Sequence, residues 1–204
     1  MTELVTGIDL VNWQLHVAAG QHLPLGQQEM SRRGHAIECR VYAEDPANGF
    51  LPSTGMVRTF RPPSAPGVRV DSGIQTGSEV TPHYDPMLAK IIVWGQQREL
   101  AISRMVDALQ ETILLGVTTN IPYLLDILQT DAFRKGTTGT SFLDDQMSAW
   151  TPDDTLNEEA WLAAGVLEQI MGGGSAGEDP ADRTTKQDRQ SDPWNAASRW
   201  RNVG

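Results

Sequence analysis

The strongest pattern along the chain is an alternation. Ile37, Cys39, Val41 and Ala43 alternate with Glu38, Arg40 and Tyr42. That is strand period, and it puts three polar side chains on one face and small apolar ones on the other. Asp45-Pro46 and Asn48-Gly49 stop the run. Upstream, Thr6 and Asp9 have capping-box spacing, and Ile8, Val11, Leu15 and Ala18 recur at helical spacing until Gly20. A helix opening at Thr6 is therefore predicted. Downstream, 55–60 and 68–70 read as short strands. Pro62, Pro63 and Pro66 between them forbid a regular ladder. The run 87–94, MLAKIIVW, reads as a strand closed by Gly95.

A helix is predicted from about Arg98 to Leu115. Ile102, Met105, Leu109 and Ile113 share one face, and Gly116 stands where a C-cap glycine belongs. Asn120 reads as an N-cap, with Pro122 in the first turn and Leu124, Leu125, Ile127 and Leu128 behind it. The stretch 136–141 is a loop, 142–150 a short helix and 158–171 another. From Gly172 onward no aliphatic residue larger than Ala occurs as far as Asp192, which predicts a disordered tail. The order helix, strands, helices implies an α+β fold and not a doubly wound sheet.

Composition narrows the function classes. The chain has 204 residues, 39% hydrophobic and 21% charged, enough for a packed core. Its formal net charge of -10 argues against a nucleic-acid partner. The single cysteine, Cys39, lies in the apolar alternation and reads as a buried, inert thiol in a reducing compartment. No apolar run approaches the roughly 18 residues a membrane span needs. The first residues lack the basic-then-apolar order of a signal peptide, so a cytoplasmic location is expected.

Two clusters carry candidate chemistry. The Glu38, Arg40 and Tyr42 face is either a solvated surface with a local salt bridge or the wall of a site. Arg40 on a strand would offer a rigid, permanently charged fork to an oxyanion or carboxylate. The second cluster, PHYDPMLAK, carries His83, Tyr84 and Asp85 between prolines. Asp85 is either a turn residue or a carboxylate that orients an arginine. His16, His22, His35 and His83 show no ligand spacing, so no metal site is expected, and no phosphate-loop or nucleophile-elbow motif occurs.

The motifs RGHAIECRVYAEDP, FLPSTG, HYDPMLAKIIVWG, LGVTTNIPYLL and the late F…GTT…T.FL closely resemble the C-terminal region of biotin carboxylase, from Thr2 to about Gln146. The resemblance is nearest to the biotin-carboxylating subunits of acyl-CoA carboxylases. It implies a small antiparallel sheet flanked by helices over residues 1–150, a helical extension at 151–171, and a flexible linker at 172–204 leading toward a further domain. The tail motifs Asp192-Pro193-Trp194 and Arg199-Trp200-Arg201 resemble the region that follows in longer subunits. In the family, ATP and bicarbonate yield carboxyphosphate, and the ureido nitrogen of biotin is then carboxylated.

The resemblance also assigns residues. Arg40, in the ECR motif, takes the place of the arginine that stabilises the enolate oxygen of biotin. Glu38, Asp85 and Tyr84 would support it, and Thr140 would lie in the loop that approaches the adenine of ATP. The family's ATP-grasp lobe, glycine-rich loop, Mg2+-binding glutamates, N-terminal domain and biotinyl-lysine motif have no counterpart here. The chain is accordingly expected to be a truncated piece, inactive alone and binding none of biotin, ATP, bicarbonate or Mg2+ strongly. Its implied partners are the missing lobes, a biotin carboxyl carrier domain, a carboxyltransferase subunit and a second copy across a dimer surface. A non-catalytic interaction module docking on a carboxylase subunit is the competing reading, and a product without a role is the third.

Overall fold

The computed structural model describes residues 1–153 and Val166, and Met1–Asp153 form one compact unit. In chain order, α1 (Thr2–Thr6) and α2 (Leu10–Ala18) precede β1 (His35–Tyr42), β2 (Glu44–Asp45), β3 (Leu51–Pro52), β4 (Gly55–Met56) and β5 (Thr59–Arg61). Then come β6 (Val68–Ser72), β7 (Glu79–Val80), β8 (Met87–Gly95), α3 (Arg98–Glu111) and β9 (Ile113–Leu115). The helices α4 (Ile121–Gln129), α5 (Asp131–Lys135) and α6 (Phe142–Gln146) follow.

The main sheet has three antiparallel strands in the order β1-β8-β6. Its register sets Ile37 opposite Val93 and Cys39 opposite Ile91 on one face, with Val68 and Val70 continuing the rows. That face packs on Ala101, Ile102, Met105, Ala108 and Leu109 of α3, and Leu128 of α4 closes the core. A bulge at Val41/Tyr42 leaves Leu88 without a partner on β1. Leu88 joins Ala43, Val57 and Val80 in a second, smaller core. The expected α+β fold, a small antiparallel sheet with helices, is present.

Several expectations need correction. Gly7 adopts a left-handed φ of 73°, so α1 ends there and no helix opens at Thr6. Asp9 caps α2 instead, its carboxylate accepting from the Asn12 N–H at 2.9 Å. The apolar face read there has no cover among the described residues: only Ile8 is buried, while Val11 is 67% and Leu15 65% exposed.

The predicted strand at 55–60 is two strands. β4 pairs with β7 and β5 with β9, and buried Val57 lies between them. The predicted helix at 98–115 ends at Glu111, because Thr112 turns extended and Ile113–Leu115 pair with β5. Gly116 is thus no helix cap. It has φ 110°, and a Cβ there would collide with the Met56 carbonyl and the Arg58 amide. The short helix expected at 142–150 stops at Gln146, and α5 is an element the side-chain pattern does not announce. The helix expected at 158–171 and the tail from 172 lie outside the described residues, as does all but Val166 of the stretch 154–171.

Candidate functional site

The second face of the main sheet is ionic. Period 2 places Glu38, Arg40 and Tyr42 on it from β1, and the register carries each row across the sheet. Glu38 stands opposite Ile92, which stands opposite Arg69. Arg40 stands opposite Lys90, which stands opposite Asp71. Ile92 is nonetheless buried, and α1 packs on β1 nearby. The Arg69 guanidinium donates to both Asp71 oxygens at 2.9 and 3.1 Å and to Glu3 of α1 at 3.3 Å. Arg69 therefore fastens α1 to the β6 edge.

Arg40 is held by its strand neighbours and exposed to solvent. Its Nε donates to Glu38 Oε1 at 3.3 Å, with the Arg40 side chain 60% exposed and Glu38 only 21%. The Glu38 carboxylate, and after it the Tyr42 hydroxyl, raise the Arg40 pKa above its ordinary value. The strand beneath is fixed by Asn120, the one buried polar residue among those described. Its Oδ1 accepts from the Tyr42 N–H at 2.9 Å and its Nδ2 donates to the Arg40 carbonyl at 3.1 Å. Asn120 does sit at the N-cap position of α4, but its side chain is spent on β1 and not on the helix. No local pattern signals that role.

The other predicted residues are dispersed. Asp85 accepts from the Met87 N–H at 2.8 Å, closing the turn into β8. It also lies near Glu44, whose pKa is raised by burial first and by the Asp85 charge second. No ion pair links Asp85 to Arg40 among the described residues. Tyr84 is 84% exposed. Thr140 is exposed in the loop between α5 and α6. Lys90 stands opposite Arg40 and forms no ion pair among the described residues. Sequence reasoning missed it, although a lysine inside an apolar strand is itself a signal.

Cys39 lies on the core face directly under this row, and burial pushes its thiol up to about 12, with the Glu38 charge adding to the effect. It is no nucleophile. Among the described residues, no cluster of three or more His, Cys, Asp or Glu could hold a metal ion. No helix among them is long and apolar enough to cross a membrane.

The surface thus offers one fixed, largely exposed cation on a rigid strand and opposite a second cation. That suits an oxygen gaining negative charge. Residues 38–145 match the family model described as the biotin carboxylase C-terminal domain. A pyruvate carboxylase subunit of Methanothermobacter thermautotrophicus is 48% identical over 145 residues, 71% of this chain and 30% of that protein. Biotin carboxylase of Haemophilus influenzae is 47% identical over 147 residues, 72% of this chain and 33% of that protein. The crystal structure of the biotin carboxylase subunit of pyruvate carboxylase superposes with a TM-score of 0.71 at 39% identity, covering 75% of this chain and 34% of that one. The chain spans about a third of the length of these relatives.

Proposed function

Since the chain belongs to the biotin carboxylase C-terminal domain family, we propose that it serves as the C-terminal lobe of a biotin carboxylase and supplies the cation at the biotin end of the reaction. One observation carries the reading: Arg40, its side chain 60% exposed, is fixed by Glu38 through Nε and by Asn120 through its backbone. Biotin, when bound, supplies the ureido nitrogen that accepts the carboxyl group. Arg40 holds a positive charge at the ureido oxygen as negative charge builds there. Glu38 keeps the guanidinium plane in place, so little reorganisation accompanies the step. Lys90 adds a second positive charge one strand away.

Biotin fits this arrangement, because its ureido oxygen needs only an open planar donor. Mg2+ does not fit the described residues, which offer no carboxylate cluster for it. ATP and Mg2+ are therefore assigned to the two thirds of the relatives that lie beyond this chain. By the same reading, Asp85 stiffens the turn that leads into the Lys90 strand, Tyr84 lies on that turn, and Thr140 belongs to the adenine side of the assembled enzyme. The partners are the remaining lobes, a biotin carboxyl carrier domain and a carboxyltransferase.

The test is complementation. The upstream two thirds of a relative, produced separately or fused, is assayed for biotin-stimulated ATP cleavage with bicarbonate, with and without this chain. Neither part is expected to act alone, and together they should restore turnover. Biotin-stimulated cleavage by this chain alone, or no gain on mixing or fusion, overturns the reading. The relatives include both methylcrotonoyl-CoA and pyruvate carboxylase subunits, so the final acceptor is either an acyl-CoA or a 2-oxo acid, and the carboxyltransferase decides between them. The second reading, a non-catalytic docking module, is favoured by the bare apolar residues of α2. Binding to the carboxylase without restored turnover would select it.

A further inference from the structure

Between α3 and α5 lies an open cavity of about 630 Å3, within the roughly 300–1,000 Å3 typical of small-molecule sites. It shares no residue with the ionic face around Arg40. Its floor is apolar, with Ile102 buried and Val106 half-buried. Its rim carries Arg98, Arg134 and Lys135, with the Ser103 hydroxyl and one carboxylate, Glu99.

The rim cations differ in how far they are committed. Arg98 Nη2 donates to the Phe133 carbonyl at 2.6 Å and Nε to the Arg134 carbonyl at 3.3 Å. Its guanidinium lies 5.1 Å from the centre of the Phe133 ring. These contacts pin the fork on the last carbonyls of α5 and leave the rest of its donors free. Arg134 forms no ion pair among the described residues, whereas Lys135 is paired with Asp131 at 3.1 Å. Two guanidinium groups and a hydroxyl thus share a cavity with a single carboxylate, Glu99, in a chain of net charge -10.

We propose that this cavity binds a small molecule bearing an oxyanion on an apolar stem. The arginines take a phosphate or carboxylate through paired N–H groups, and Ile102 and Val106 take the stem. The pinned Arg98 loses little freedom on binding, which favours affinity.

The test titrates octyl phosphate, octanoate, inorganic phosphate and octanol into the full chain below micelle-forming concentrations, read by backbone and arginine side-chain NMR shifts. Saturable shifts at Arg98, Ser103 and Arg134 are expected with at least one of the two amphiphilic anions, and the tighter one identifies the head group. Arg134→Gln should weaken that binding roughly tenfold or more, the scale of one lost charged hydrogen bond. Arg134 is exposed, so the variant should melt with the parent. Should it not, Ser103→Ala is the second probe and should weaken binding by a few-fold. No saturable shift with either anion overturns the proposal, and so does binding indifferent to both substitutions. Octanol binding as tightly as the anions removes the oxyanion, and inorganic phosphate binding as tightly as octyl phosphate removes the stem. Either result sinks the inference.

Discussion

Asn120 donates its side-chain amide to the backbone carbonyl of Arg40 at 3.1 Å, across 80 residues of sequence. The same side chain accepts from the N–H of Tyr42. It therefore pins β1 at the two residues on either side of Val41, where the bulge would otherwise let the strand slip.

Removal of that pin is expected to cost stability and site geometry together. Asn120→Ala leaves two backbone groups without partners in a part-buried setting, a loss of about 2–4 kcal/mol. Urea unfolding of the full chain measures it. Asn120→Asp keeps the acceptor to Tyr42 but cannot donate to Arg40, so it should fall between parent and alanine. An alanine variant as stable as the parent would remove Asn120 from the account of how Arg40 is held.

Arg40→Ala should separate activity from folding. In the complemented enzyme, loss of one oxyanion partner is expected to reduce biotin carboxylation by roughly 10²–10³. Because the side chain is largely exposed, the melting temperature should hardly move. Arg40→Lys should recover only part of the rate, since a point charge on a flexible stem lacks the planar fork. Glu38→Gln should show a smaller loss. A normal rate in Arg40→Ala with a normal melt would remove Arg40 from the site.

The buried thiol sets an alkaline signature. Cys39 is raised from 9.0 to about 12 in the fold. The neutral thiol is thus favoured in the native state, and its contribution is complete below pH 9. As pH rises from 9 toward 12, the unfolded chain releases the proton and the native chain does not. Stability should fall by about 1.4 kcal/mol per pH unit over that window. Denaturant midpoints of the parent against Cys39→Ala isolate this share of the slope, which should be shallower in the variant, where Tyr123, raised by burial, still contributes. Native Cys39 should also resist thiol reagents at pH 8 until the chain is unfolded.

Gly116→Ala is expected to destabilise by more than about 2 kcal/mol, because left-handed backbone strain adds to a clash with Met56 and Arg58. Thermal denaturation checks this, with Gly77→Ala as the comparison. Gly77 also has positive φ but open space around it, so it should lose only the backbone part.

The sequence was most legible where the physics is local. The alternation in β1, the apolar run of β8 and the face of α3 each follow from side-chain period, and the core forms where those faces meet. It was least legible where distant segments decide. Ile113 continues the helical period of α3, yet it lies in β9 because β5 offers backbone partners. Asn120 reads as a cap, yet its amide is taken by β1. Val11 and Leu15 have helical spacing that nothing among the described residues answers. In the site, Arg40 and Glu38 were legible as neighbours on one strand face. Lys90, Arg69 and Asp71 depended on strand register, which no single strand reveals.

Trp150 closes a clasp just before the end of the compact unit. Its ring meets Tyr123 edge-on at 5.2 Å, Tyr123 meets Phe50 in the same way, and its indole N–H donates to Asp126 at 2.6 Å. Phe50, at the far end of the stack, has a left-handed φ of 60°. Tension on the chain at Trp150 would load this clasp before it reached α4. It would have to part the Asp126 bond and unstack the rings before it could peel α4. Since α4 follows directly on Asn120, the clasp acts as strain relief, keeping a pull at Trp150 from being felt at Arg40.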